Sequence, residues 1–267
     1  MAFNQANTFK DAAMLTDAET AYQQALTYNP NMRAASYNLA LILVELGRYE
    51  EALTRLEDLR SEQPDNLSIL RALGWASRRS GNDVDSLDYY REALAIFPAD
   101  VESLKGHAEL LESLNRPHEA IEKRRFVVEL EDSVSSLNSL AAALFMTGQY
   151  QESLSLYRKV LIREEDNQNA LEGAYEASLA LREYHHAVDY LLRLAVHESD
   201  ASIWWNIARL KIGKLSEYPG GLSALKRALE EGFSDQEAID TLLRSAEPTL
   251  QAAIRTVIAE PSDQEAP

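Results

Sequence analysis

The 267-residue chain contains no cysteine, and that absence removes disulfides, thiolate metal sites and cysteine nucleophiles together. It suits any compartment and leans towards export; a start inside an already patterned helix also points to an upstream leader or anchor. Glycine and proline are scarce, at ten and eight residues, in a chain that is 46% hydrophobic and 26% charged, the composition of an ordinary folded protein with a large core. Basic residues are outnumbered 26 to 43, for a net charge of -17. Such a surface repels nucleic acid and anionic lipid, so neither DNA nor RNA is an expected partner. No apolar run approaches the roughly 20 residues of a membrane span, and "MAFNQANTFKDA" has no basic and apolar leader, so no direct membrane insertion is expected.

Catalytic signatures are missing as well. There is no G-x-S-x-G elbow, Walker loop or dinucleotide glycine fingerprint. The five histidines, His107, His118, His185, His186 and His197, show no i, i+4 metal-ligand pairing, and the adjacent His185 and His186 point to different sides of any helix. His107 takes a core leucine slot and reads as a hydrogen-bonded core histidine. Glu109 and Glu112 lie one turn apart and read as a solvated face. The chain is therefore expected to be non-catalytic, with no metal and no cofactor.

What is present is repetition. Ala18, Ala52, Ser86, Ala120, Ser153, Ala187 and Gly221 follow one another at steps of 34, 34, 34, 33, 34 and 34 residues. A second small-residue series, Ala6, Ala40, Gly74, Ala108 and Ala141, keeps the same step, misses at Tyr175 and returns at Ala208. Two interleaved series with one period mark stacked helical pairs, because each pair must let its neighbour approach closely at the same place. In "YNLALILVELGRYEEAL", Leu39, Leu43 and Leu46 stand at i, i+4 and i+7 of a first helix. Gly47 and Tyr49 mark a turn, echoed by Gly148 and Tyr150, and a second helix carries Ala52, Leu56 and Leu59 before Pro64. Tyr22, Ala25 and Pro30 repeat that ending, as do Tyr90, Ala93 and Pro98.

These slots resemble the tetratricopeptide repeat family. The resemblance is best in residues 33–66, carries through "AFNQANTF" in a first unit of about 1–32 and through "LRALGWA" in a third of 67–100, and continues in units of about 101–133, 134–167 and 168–201 that lack the closing proline. Arg124 replaces the usual aromatic in the fourth unit, and Arg182 the turn glycine in the sixth. A seventh, 202–233, opens with "IWWNIA" and departs at "GKLSEYPGG", an expected irregular loop. Ser234 and Glu237 at capping-box spacing, and Pro248 at a helix start, predict two capping helices over 234–259, with 260–267 as a disordered tail. The resemblance implies an all-α, right-handed superhelical solenoid of about seven helix pairs whose first helices line a concave groove.

A second stripe on the first helices, Tyr37, Leu41 and Val44, is offset from the leucine stripe by about 200° and corresponds to groove-facing positions. Its counterparts differ from unit to unit: Phe3, Asn7, Lys10; Arg71, Trp75, Arg78; Lys105, Glu109, Glu112; Asn138, Ala142, Phe145; Glu172, Glu176, Leu179; Trp205, Arg209, Ile212. The plain alternative is that the apolar members only pack against neighbouring helices. Arg71, Trp75 and Arg78 beside an apolar patch have the composition of a binding hot spot. A narrower version, implied by the family, places Asn7, Asn38 and Arg71 in slots that grip a peptide carboxylate, although Phe3 and Trp75 stand where two basic residues belong. The expected function is a scaffold holding an extended or helical segment of a protein partner. A second reading is an exported ligand-binding or transport-accessory protein with Phe145, Met146, Trp204 and Trp205 around a lumen, and a third is self-association.

Overall fold

The computed structural model describes residues 1–197 and 200–259; the expected tail at 260–267 lies outside them. Among the described residues there are sixteen α-helices and no strand. The chain divides into two compact units, Met1–Asp132 and the part from Ser133 onward.

The first unit holds α1 (Ala2–Asp11), α2 (Leu15–Tyr28), α3 (Arg33–Glu45), α4 (Tyr49–Glu62), α5 (Leu67–Arg79), α6 (Asp83–Ile96), α7 (Val101–Ser113) and α8 (Pro117–Leu130). Odd and even helices pair, α2, α4 and α6 also touch the next odd helix, and α3 meets α5 as α5 meets α7. The small residues occupy these crossings. Ala6, Ala18, Ala40, Ala52, Ala108 and Ala120 are all 0% exposed, since only a methyl or less lets two helices approach. Where the series offers serine, the hydroxyl is used: Ser86 Oγ donates to the Gly74 carbonyl at 2.7 Å, which satisfies a polar group that the crossing would otherwise bury unpaired.

Each pair turns through one residue in the left-handed backbone region. Gly47, Gly81 and Gly148 supply three of these, and Ala13, Asn115, Arg182 and Ser216 adopt the same conformation with φ of 56°, 57°, 62° and 56°. Those seven positions keep the 33–34-residue step although four carry a side chain. Arg182 thus holds the turn's geometry at a steric cost of about 1–2 kcal/mol.

An aromatic wedge braces α5 and α7. Tyr90 is 4% exposed and lies so close to both helices that a Cβ at Gly74 would stand 3.0 Å from its ring, and one at Gly106 2.5 Å. Burial pushes its phenol pKa up to about 12. One repeat later the same slot holds Arg124, which donates to both oxygens of Glu112 at 2.5 and 2.7 Å.

The second unit holds α9 (Val134–Met146), α10 (Tyr150–Arg163), α11 (Gln168–Ala180), α12 (Tyr184–His197), α13 (Ala201–Leu210), α14 (Tyr218–Glu230), α15 (Gln236–Ser245) and α16 (Pro248–Ala259). Ser153 Oγ donates to the Ala141 carbonyl at 2.8 Å, and Tyr157 presses on Gly173, where a Cβ would stand 2.2 Å from its ring. Where the sequence predicts an irregular loop, residues Lys211–Leu215 form a π-helical turn that continues α13. It ends at Ser216, and Glu217 N–H donates to the Lys211 carbonyl at 2.8 Å. The cap of α15 also differs from expectation. Asp235, not Ser234, is the N-cap, and its carboxylate accepts from Ala238 N at 3.0 Å, a charged acceptor being favoured at the positive end of a helix.

Candidate functional site

In the first unit the stripe residues of neighbouring odd helices meet one another. Asn7 Oδ1 accepts from the Tyr22 hydroxyl at 2.6 Å and from Asn38 Nδ2 at 3.2 Å. Tyr37 donates to the Ser68 carbonyl at 3.2 Å and lines a hollow of about 270 Å³ with Arg33, Leu59 and Asn66. Leu41, Tyr37 and Trp75 are half-buried against the core, whereas Val44 is 0% exposed and belongs wholly to it. A buried Val44 narrows the stripe: the last position of α3 packs, and the first two remain open to a partner.

The charged members are held in ion pairs. Arg71 lies 3.5 Å from Asp100 and donates to Ser68 Oγ at 3.2 Å. Arg78 pairs with Glu109 at 2.6 Å, from α5 to α7, and Lys105 with Glu131 at 3.2 Å. The guanidinium of Arg79 stands 5.9 Å from the centre of the Trp75 ring. Arg71, Arg78 and Lys105 nevertheless keep about a third of their side-chain surface open. Glu112 is turned to Arg124 within its own helix pair. Asn7, Asn38 and Arg71, the three carboxylate-clamp positions, all have internal partners.

His107 is 6% exposed in its core slot, but its Nδ1 has no hydrogen-bond partner, contrary to the expected satisfied histidine. Burial, reinforced by Lys123, Arg91 and Arg116, lowers its pKa to about 4, so the ring stays neutral at physiological pH.

In the second unit Asn138, Ala142, Glu172 and Glu176 come together, lining a hollow of about 360 Å³ with Tyr157 and Gly173. Asn138 donates to Asn167 Oδ1 at 3.2 Å, and its own Oδ1 is buried without a partner. Phe145 tilts against Tyr150 at 5.2 Å.

Trp205 departs from a groove position. It is 8% exposed and stacks on Phe233 at 4.4 Å and 11°, because α13 is covered on that side by the segment leading into α15. Ile212, within the π turn, is also buried, at 5%. Trp205 and the exposed Arg209 line a cavity of about 500 Å³ with Gly213, Lys214, Asp235, Glu237, Ala238, Thr241, Leu242 and Ser245. Trp204 faces elsewhere, with Arg227 4.1 Å above its ring, and Met146 is 79% exposed. The four aromatic and methionine residues of the second reading therefore have separate surroundings. Periodicity had no means of showing the cavity, which depends on the π turn and on where α15 docks.

Among the described residues no three His, Asp or Glu side chains gather as a metal site, and no helix is long and apolar enough to cross a membrane.

The comparisons with known proteins meet this geometry at several points. The tetratricopeptide repeat pattern matches residues 11–74 and again 133–164. Tetratricopeptide repeat protein 8 of Caenorhabditis elegans is 22% identical over 206 residues, which cover 74% of this chain and 40% of the worm protein. The chain spans less than half the length of the curated relatives it matches. Among solved structures, the C-terminal part of a repeat protein from Cytophaga hutchinsonii superposes with a TM-score of 0.76 at 14% identity, covering 89% of this chain and 98% of that one. YrrB, described as a tetratricopeptide repeat protein with an unusual peptide-binding site, does so with 0.57 at 17% identity, covering 68% and 95%. At such identities the structural likeness speaks for the fold alone. Matched repeats in both units, the periodic left-handed turns and the buried small-residue seams agree: the chain carries tetratricopeptide repeats in each of its two units.

Proposed function

We propose that the chain is a non-catalytic scaffold that holds an extended or helical segment of another protein on the open face of its first helices. Proteins with these repeats generally act as protein-interaction scaffolds, and YrrB lends the peptide-binding analogy. In this reading residues 1–233 form seven repeats and 234–259 close the array. The observation that carries it is the patch on α3 and α5, where half-buried Tyr37, Leu41 and Trp75 adjoin the one-third-open Arg71 and Arg78. Aromatic rings supply apolar area at low entropic cost, and arginine supplies charge and a planar fork. The Arg78–Glu109 pair is exposed on both sides and of small net worth, so a partner's carboxylate replaces Glu109 at little cost. The hollow with Glu172 and Glu176 favours positive groups, so a partner touching both faces carries acidic and basic segments.

The test is a photo-crosslinking residue at Leu41, compared with one at the outward Thr54, in the native source. Crosslinks are expected from Leu41, and Trp75→Ala and Arg71→Glu should each weaken the captured partner about tenfold or more. Crosslinks confined to Thr54, or a partner indifferent to both substitutions, would remove the site from this face.

A further inference from the structure

The cavity beside the π turn takes no part in the scaffold reading and has its own chemistry. One wall comes from α13 and the π turn, with Arg209, Gly213 and Lys214; the other comes from α15 and its cap, with Asp235, Glu237, Ala238, Thr241, Leu242 and Ser245. Trp205 lines it from within α13, its ring fixed by the stack on Phe233. We propose that this cavity binds a small zwitterion of the α-amino-acid class, free or as a dipeptide, with an apolar or aromatic side chain.

Charge distribution carries the assignment. Neither Arg209 nor Lys214 has a carboxylate within 4 Å among the described residues, and neither Asp235 nor Glu237 has a cationic partner there. Arg209 Nη2 donates to Asn206 Oδ1 at 3.1 Å, and the Asp235 carboxylate accepts the cap bond from Ala238 N. Opposite charges thus share one cavity without meeting across it. A simple anion entering would face Asp235 and Glu237, and a simple cation would face Arg209 and Lys214. A molecule bearing both charges answers both walls, its carboxylate on the arginine and lysine side and its ammonium on the α15 side. Trp205, Ala238 and Leu242 then receive the apolar body.

The size agrees, since about 500 Å³ falls within the range of small-molecule sites, roughly 300–1,000 Å³. So does the backbone. π turns inside helices are frequent at functional sites, and at Gly213 an added Cβ would meet nothing within 4 Å, so the main chain there lies open to the cavity.

Calorimetry on the full chain tests this with L-leucine, L-phenylalanine and the dipeptide Leu-Phe, each beside its N-acetyl and its amide form. Saturable binding is expected from the free zwitterions, and blocking either end should weaken it about tenfold or more, the loss that follows from leaving a charged group unpaired. Lys214→Gln, an exposed position, should weaken the free forms and leave the amides unaffected. Gly213→Leu should abolish binding by filling the cavity while the thermal melt stays unchanged. Trp75→Ala should not alter this binding, which separates its fate from that of the scaffold reading. No saturable heat from any free zwitterion up to about 5 mM, equal binding of the blocked forms, or wild-type binding by Gly213→Leu would each overturn the assignment.

Discussion

Tyr90 in α6 and Arg124 in α8 occupy the same slot of successive repeats, yet they solve different problems. Tyr90 is a rigid wedge that fills the space beside Gly74 and Gly106, tight against a Cβ at the first and leaving no room for one at the second. Arg124, with 12% of its side chain exposed, reaches back to Glu112 of its own pair and is held there by two short hydrogen bonds. The first works by apolar area and shape; the second works by charge and depends on a single partner. A repeat framework tolerates either, because what it demands of the slot is that the buried side chain be fully satisfied, by contacts or by hydrogen bonds.

Mutations can break this comparison, the largest effect coming from the wedge. Tyr90→Ala removes a buried ring from a site walled by two glycine-bearing helices and should cost about 3–5 kcal/mol in denaturant unfolding, the range for deleting a core aromatic. Gly106→Ala attacks the same contact from the other side and should cost about 1–3 kcal/mol by overpacking. The double change Gly106→Ala with Tyr90→Leu should recover part of that loss. At the polar slot, Glu112→Ala strands the Arg124 guanidinium and should cost about 1–3 kcal/mol. Replacing Glu112 and Arg124 together by leucine should be close to neutral, as exchanging a partly buried ion pair for apolar residues often is. A double pair of leucines as destabilising as Glu112→Ala alone would show that the slot requires the charge itself.

The turn positions sharpen the contrast further. Arg182 adopts φ 62° where equivalent turns use Gly47, Gly81 and Gly148. Arg182→Gly should therefore stabilise by about 1 kcal/mol, read as a raised melting temperature.

His107 gives the smallest effect at neutral pH and an increasing one in acid. Its folded pKa of about 4 lies below the ordinary 6.5, so between those values the unfolded chain binds a proton that the folded chain refuses. Stability from this group is complete above pH 6.5, falls as pH drops towards 4 and levels off below. His107→Leu should flatten that part of the stability curve while changing little at pH 7, and an unaltered slope would count against the buried neutral ring.

Much of the fold was legible in the residues. The two small-residue series mark helix crossings that are buried, and Tyr22, Tyr90 and Tyr157 fall in slots that are buried too. Other features left no such trace. Ala13 carries no hint of left-handed backbone, because no side-chain signal advertises a strained turn, and Arg182 reveals it only by standing in the slot of a turn glycine. Gly106 and Gly173 lie outside both small-residue series, and their role shows only when the tyrosine of the preceding helix is seen against them. On the candidate face Leu41, Trp75, Asn138 and Glu172 stand open or half-open, while Val44, Trp205 and Ile212 are buried. Helical spacing tells which residues share a side, but what covers that side depends on elements distant in the chain.

The amino-acid sequence by itself determined the period, the helical pairs and the positions where helices must touch, because those rest on side-chain volume and on local hydrogen bonding repeated every 33 or 34 residues. Tertiary structure alone decided the partners of Arg71, Arg78 and Arg124, the orphaned nitrogen of His107, and the cavity between the π turn and α15. Each of these depends on which distant groups arrive within a few ångströms, and long-range charge pairing and cavity shape have no periodic signature in a chain.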